Sequence, residues 1–257
     1  MGIMIDMHSH VLWNADDGPR SMGEAMKLME QAVKEGISAL IATSHSNHPH
    51  YDVGYQVVLN QIDRLQNELL NNEVPLTVYT GHEVRLSEKL IPLYLANQIH
   101  TLANSQYLLV ELPSYTIPNY IDYIIHALLM EGITPIIAHP ERNKAIAENP
   151  NRLVQLIQQG ALSQITAGSL TGHFGRAVQK FSLDLVRANL VHVYGSDAHN
   201  LTTRPFLFDQ GLCYLEKRKE LEAVDIFLEN NARILQNQPF IIKEPEEIAT
   251  AKWWKIY

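Results

Sequence analysis

Apolar residues come in short runs along this chain, separated by longer stretches that carry helix signals. The first run, Ile3-Met4-Ile5-Asp6-Met7, leads straight into His8-Ser9-His10. Six more follow at 37–43, 76–80, 107–110, 133–138, 163–167 and 191–194, each of strand length. Ser21-Met22-Gly23-Glu24 is a capping box that opens a helix over 25–34, stopped by Gly36. Further helices are expected over 55–70, from 87–90 as a short piece, over 118–131, from 150 to 160, over 176–188 and over 219–236. Strand and helix alternate, the pattern of a parallel α/β sheet with crossover helices.

Six of the seven runs deliver a His, Asp or Glu at the carboxyl end: His8 and His10, His45, Glu83, Glu111, His139, and Asp197 with His199. Alternate residues of a strand share a face, so His8 and His10 project together and can share one metal ion. Asp197 and His199 repeat that spacing. In barrels of parallel strands this rim is where active sites are built. The sixth run carries no obvious ligand.

Each residue also has a plainer reading. Asp16 and Asp17 sit in an Asp-Asp-Gly-Pro turn; Asp17 competes as a ligand because it lies near His8 and His10 in sequence. His45 ends its strand and is favoured as a ligand, whereas His48 and His50 are either loop histidines or substrate-side residues. Glu83 could bridge two ions or pair with Arg85. Glu111 follows three apolar residues and needs a metal or an arginine beside it. Arg142, in His139-Pro140-Glu141-Arg142, can fork onto phosphate oxygens, with Glu141 either holding it or taking a direct role. Arg204 is a second such clamp. Residues 168–175 read as a flexible small-residue loop on the ligand rim, with His173 a loop residue. Trp253, Trp254 and Tyr257 read as packing residues.

Composition narrows the class. The 257 residues are 46% hydrophobic, enough for one sizeable core, and no linker or repeat divides them, so a single domain over 1–257 is expected. A net charge of −8 argues against sequence-independent nucleic-acid binding. One cysteine, Cys213, excludes an internal disulfide and suits a reducing compartment. No leader pattern and no apolar run of membrane-spanning length is present, so a soluble cytoplasmic protein is expected, not inserted in a membrane.

Imidazole and carboxylate without thiolate suit Mn, Fe or Zn, and the surplus of candidates implies two or three ions. Clustered divalent ions beside two arginines favour phosphate-ester hydrolysis. Other routes lack their residues: Cys213 is followed after five residues by Lys219 rather than Arg, and there is no Gly-rich nucleotide fingerprint and no Gly-x-Ser-x-Gly elbow.

Taken together, Ile5-Asp6-Met7-His8-Ser9-His10, Asp16-Asp17-Gly18-Pro19, Ala42-Thr43-Ser44-His45, Gly81-His82-Glu83-Val84-Arg85, Ala138-His139-Pro140-Glu141-Arg142 and Ser196-Asp197-Ala198-His199-Asn200 resemble the PHP metal-hydrolase superfamily. More closely, they resemble the bacterial capsule and exopolysaccharide tyrosine-protein phosphatases, over nearly the whole chain. The resemblance implies a distorted (β/α)7 barrel holding three ions, usually manganese. It implies one ion on His8, His10, Glu83 and Asp197, a second on Glu83, Glu111 and His139, and a third on Asp17, His45 and His199. Arg142 and Arg204 would contact phosphate, with His48 on the substrate side. The implied substrate is phosphotyrosine on the tail of a cytoplasmic tyrosine autokinase that controls polysaccharide export. The competing readings are another PHP phosphoesterase such as a histidinol phosphatase, an amidohydrolase-type barrel, and a non-catalytic metal-binding regulator of the kinase. The oligomeric state is left open.

Overall fold

The first strand, β1 (Met4–Ser9), is buried along nearly its whole length and pairs in parallel with β2 (Ile37–Ala42). Burial on both faces is the condition of a parallel strand covered by crossover helices, and it explains why these runs are largely apolar. The computed structural model describes residues 4–248, so Trp253, Trp254 and Tyr257 lie outside the described residues. Among the described residues, nine strands form two parallel ladders. One is β1, β2 and β4 (Thr77–Thr80). The other runs β3 (His45–Ser46), β5 (Glu83–Arg85), β6 (Tyr107–Glu111), β7 (Thr134–Ile137), β8 (Leu162–Thr166), β9 (Val193–Gly195).

The two ladders are one curled sheet in which the β2–β4 pairing continues as β3–β5, β1 lying beside the first half and β6 beside the second. β2 resumes as β3 after Thr43-Ser44, and β4 resumes as β5 after Gly81-His82. Gly81 makes the second bend feasible, since a Cβ there would lie 2.7 Å from Ile41 Cγ2. The last strand then meets the first. Asp197 N–H donates to His8 O at 2.7 Å, His10 N–H to Ala198 O at 2.8 Å, and Ser9 bridges Ala198 in parallel. Gly195 permits this approach, because a Cβ there would fall 2.7 Å from that of His8.

Helices cover the outside: α1 (Met22–Lys34), α2 (Tyr55–Asn71), α3 (Leu90–Leu95), α4 (Ile121–Met130), α5 (Lys144–Glu148), α6 (Asn151–Gln158), α7 (Ala167–Thr171), α8 (Arg176–Arg187), α9 (Phe208–Lys217) and α10 (Leu221–Leu235). The capping box forms in part: Ser21 Oγ accepts from Glu24 N–H at 3.2 Å, while Glu24 reaches back to Arg20 N–H at 2.8 Å. The α1 apolar stripe of Ala25, Leu28, Met29 and Ala32 is fully buried.

One expectation fails. Of the expected flexible loop 168–175, residues 168–171 are instead part of the helix α7, whose Ala167, Gly168, Ser169 and Leu170 are buried, so that its small residues serve packing. Gly211 of α9 lies so close to Ala167 that a Cβ would meet its Cα at 3.2 Å. Helix α9 itself has no counterpart in the expected elements, because Arg204-Pro205 obscures its start. Its N-terminus is capped by a distant residue, Glu35, whose carboxylate accepts from Phe208 N–H at 2.6 Å.

Where β1 and β9 meet, α10 supplies a pin. Asn231 Nδ2 donates to Ile5 O and Tyr194 O, both at 2.7 Å, and its Oδ1 accepts from Tyr194 N–H at 3.2 Å. Asn231→Ala would strand these buried groups, at about 1–3 kcal/mol each. We expect a loss of at least about 2 kcal/mol, read as a lower urea midpoint with an unchanged slope.

Candidate metal centre

All the strand-end candidates converge at the carboxyl rim of the sheet. β1 brings His8 and His10 so close that their Nε2 atoms lie 3.3 Å apart. Their tautomers follow from the partners of the other ring nitrogen. His8 Nδ1 is 3.1 Å from Gln164 Oε1 and His10 Nδ1 is 2.9 Å from Asp16 Oδ2, both acceptors. The neutral rings therefore carry their protons on Nδ1 and turn two Nε2 lone pairs toward each other. The same holds at His199: its Nδ1 donates to Asp197 O at 2.9 Å, leaving Nε2 to face Asp17 Oδ1 at 3.1 Å.

Glu83 lies at the centre, 1% exposed. Its Oε2 is 3.2 Å from His10 Nε2, 3.5 Å from His8 Nε2 and 3.1 Å from His45 Nδ1, while Oε1 is 2.8 Å from His139 Nε2. Asp197 Oδ1 is 3.4 Å from His8 Nε2 and 3.5 Å from His10 Nε2. Lone pairs facing lone pairs or carboxylates repel unless a proton or a cation lies between. His45 Nδ1, His199 Nε2 and Asp197 Oδ1 are buried with no hydrogen-bond partner among the described residues. This donor set fits divalent cations.

By distance the donors fall into three sets: His10, Asp17, His45 and His199; His8, His10 and Asp197; and His45, Glu83 and Glu111. Compared with the division implied by resemblance, His10 also joins the Asp17 set, and His45 joins Glu83 and Glu111. His139 touches Glu83 from the other side. The expected alternatives at the two glutamates separate cleanly. Arg85 pairs with Glu111 at 2.9 Å, not with Glu83.

Two loop residues are held in the left-handed region, His139 at φ 33° and Asp197 at φ 55°. That conformation costs a non-glycine residue roughly 1–2 kcal/mol. His139 also precedes Pro140, which disfavours helical backbone before it. Strain of this kind concentrates at functional sites.

The guanidiniums of Arg142 and Arg204 both reach Asp197 Oδ2, Arg204 at 2.8 Å, and Arg204 also lies 3.3 Å from Asp17. Their Nε atoms have no partner among the described residues. Glu141 does not hold Arg142: its carboxylate accepts from Thr166 N–H at 3.1 Å and Ser169 Oγ at 2.7 Å, tying the turn to β8 and α7. His48 lines the cleft, a cavity of about 440 Å³, whereas His173 is at the surface against Thr203 O. His82 points away into a buried pair with His100, where burial and then the His100 charge push its pKa down to about 3.

Three supporting residues were missed in the sequence. Asp16 orients His10 and also accepts from His45 N–H at 3.0 Å. Gln164 Oε1 accepts from His139 N–H at 3.1 Å as well as from His8. Phe174 lies 5.0 Å from the Arg142 guanidinium carbon. A glutamine inside an apolar strand was the available signal for Gln164.

The imidazoles of the cluster divide: burial and then the His10 charge lower His45 and push His199 down to about 4, whereas His8 and His10 are raised. Burial would raise Asp197, but Arg204 and Arg142 hold it well below the usual carboxylate range. Burial likewise opposes Glu83 ionisation, which His8 and His45 restore. Burial disfavours charge on His8 and His10. The Glu83 and Asp197 carboxylates nevertheless raise His8, and Asp16 and Glu83 hold His10 well above its ordinary value. Against burial, the His10 charge pulls Asp16 down to about 2.

A family model for capsular polysaccharide synthesis, CpsB/CapC, matches residues 4–236. The putative tyrosine-protein phosphatase CapC of Staphylococcus aureus is 38% identical over 251 residues, 98% of each chain. The crystal structure of YwqE from Bacillus subtilis, described with CpsB from Streptococcus pneumoniae as unique metal-dependent tyrosine phosphatases, matches with a TM-score of 0.93. It is 38% identical, and the match covers 96% of this chain and all of that one. A lactonase from Listeria monocytogenes shares the fold alone, with a TM-score of 0.56 at 10% identity, over 93% of this chain and 95% of its own.

Two outcomes follow from the geometry. Ligation requires neutral imidazole, so uptake of a divalent ion at pH 7 releases protons and weakens as pH falls. Calorimetric enthalpies should therefore change with the ionisation enthalpy of the buffer; identical enthalpies across buffers would contradict this. Asp16→Asn, which removes the carboxylate behind His10, should weaken divalent binding by about 10–100-fold.

Proposed function

This chain belongs to the CpsB/CapC family of capsular polysaccharide synthesis, and on that premise we propose that it is a metal-dependent protein-tyrosine phosphatase. The observation that carries the reading is the set of imidazole and carboxylate donors facing one another beside two guanidiniums with unpartnered Nε atoms. We read the architecture as a distorted (β/α)7 barrel of the PHP type acting as one domain over 1–257. The ligands are His8, His10, Asp17, His45, Glu83, Glu111, His139, Asp197 and His199, holding three ions, manganese first and Fe or Zn as alternatives. The substrate is phosphotyrosine on the tail of a cytoplasmic tyrosine autokinase, and its hydrolysis regulates capsular or exopolysaccharide synthesis. No helix among the described residues is long and apolar enough to cross a membrane.

Bound divalent ions supply a nucleophile from water near neutral pH and neutralise phosphoryl charge. The chain's own residues do the rest. Arg142 and Arg204 take phosphoryl oxygens, and Asp197, which holds both guanidiniums, keeps them aimed at one point. Gln164 and Asp16 fix the ring orientations of His8 and His10, and Gln164 also braces the His139 backbone. His48 lines the substrate side. A phenol has a pKa of about 10, so the departing oxygen needs little acid assistance.

The test is hydrolysis of a phosphotyrosyl peptide by metal-stripped protein after adding back manganese, zinc, iron or magnesium, with a phosphoseryl peptide and histidinol phosphate as competitors. Phosphate released from the tyrosyl peptide alone supports the reading. Turnover of histidinol phosphate alone keeps the site and overturns the substrate, and bound metal without turnover favours a regulator. Arg142→Lys or Arg204→Lys should each lower kcat about 100-fold, because a point charge replaces a directed fork. Glu83→Ala or His139→Ala should abolish activity with the far-ultraviolet circular dichroism unchanged.

A further inference from the structure

One wall of the cleft is made of aromatic rings. The planes of His45, His48 and Tyr51 are nearly parallel: His45 and His48 have centroids 4.7 Å apart at 21°, His48 and Tyr51 5.7 Å at 15°, and His45 and Tyr51 5.9 Å at 11°. All three line the cavity; His45 is buried at the cluster, while His48 and Tyr51 are half-buried.

The loop that carries His48 and Tyr51 is a built structure. Asn47, at φ 56°, sends its side-chain amide to Arg85 O at 3.1 Å and Ser87 Oγ at 2.6 Å, and its N–H to Asp52 at 2.8 Å. His48 N–H donates to Tyr51 O at 3.0 Å, and Val53 N–H to His45 O at 2.9 Å. His50 N–H donates to His48 Nδ1 at 3.3 Å. A neutral His48 therefore carries its proton on Nε2 and keeps no lone pair for an ion. What it and Tyr51 offer the cleft is ring surface.

Resting on the phosphatase reading above, we propose that His48 and Tyr51 form the surface that selects an aryl phosphate over an alkyl phosphate. A phosphotyrosine ring begins two bonds from phosphorus. With the phosphoryl group among the ligands and arginines, that ring falls beside the wall that starts at His45, where offset stacking holds it. An alkyl phosphate has no ring to stack. It would also draw its peptide backbone down toward the buried cluster.

Binding of phenylphosphonate and methylphosphonate to the manganese-loaded full chain, measured by calorimetry, tests this without turnover. The wild-type protein should prefer phenylphosphonate. Tyr51→Leu and His48→Ala should each weaken phenylphosphonate about five- to tenfold while shifting methylphosphonate less than about twofold, and Tyr51→Phe should restore the preference. No preference in the wild-type protein, or the same preference in both variants, overturns the proposal. An intact preference in a protein that does not hydrolyse phosphotyrosyl peptide would instead count against the phosphatase reading alone.

Discussion

Facing lone pairs are the constraint on which this molecule turns. Nε2 of His8 and of His10 are 3.3 Å apart, with Glu83 and Asp197 oxygens within 3.5 Å of them, in a place with almost no solvent. Such an arrangement is tolerable only with cations or protons inside it. The raised pKa values of His8 and His10 are the proton-filled form of the same requirement. Substituting divalent ions for those protons turns an electrostatic liability into a Lewis-acid centre. The two guanidiniums on Asp197 belong to the same balance, since they offset carboxylate charge and also line the cleft.

Holding that cluster requires a rigid floor. The strands beneath it are buried and apolar, and the sheet curls until the ends of β1 and β9 bond to each other. That closure places Asp197 and His199 beside His8 and His10. It depends on a residue without a Cβ at Gly195 and on the Asn231 amide, which satisfies backbone groups of both strands. The left-handed turns at His139 and Asp197 store strain that the packed floor opposes.

Around the cluster, the surroundings divide the labour. Asp16 and Gln164 orient imidazoles, Glu141 ties the Arg142 turn to β8 and α7, and the loop bearing His48 and Tyr51 shapes the entrance. Most of the donors thus sit at strand ends, with Asp17, Arg142 and Arg204 on the turns just beyond them, whereas the proposed selectivity sits on a loop that can vary without disturbing the floor.

The alternation of apolar runs with helix signals was enough to locate the parallel strands, and the His, Asp or Glu after six of the seven runs was enough to nominate the side chains that meet at the rim. Strand periodicity and the cost of burying a lone charge are local, so both are written in neighbouring residues. What the sequence did not disclose depends on contacts between distant segments. The continuation of β2 and β4 as β3 and β5 in a second ladder, the burial of residues 167–170 in a helix against α9, the capping of α9 by Glu35, and the recruitment of Asp16 and Gln164 behind the histidines all arise this way. The pairing of Arg85 with Glu111 rather than Glu83 is of the same kind. A side chain's chemical type is set by its residue, but its partner is set by which strands the closed sheet brings side by side, and only the tertiary structure decides that.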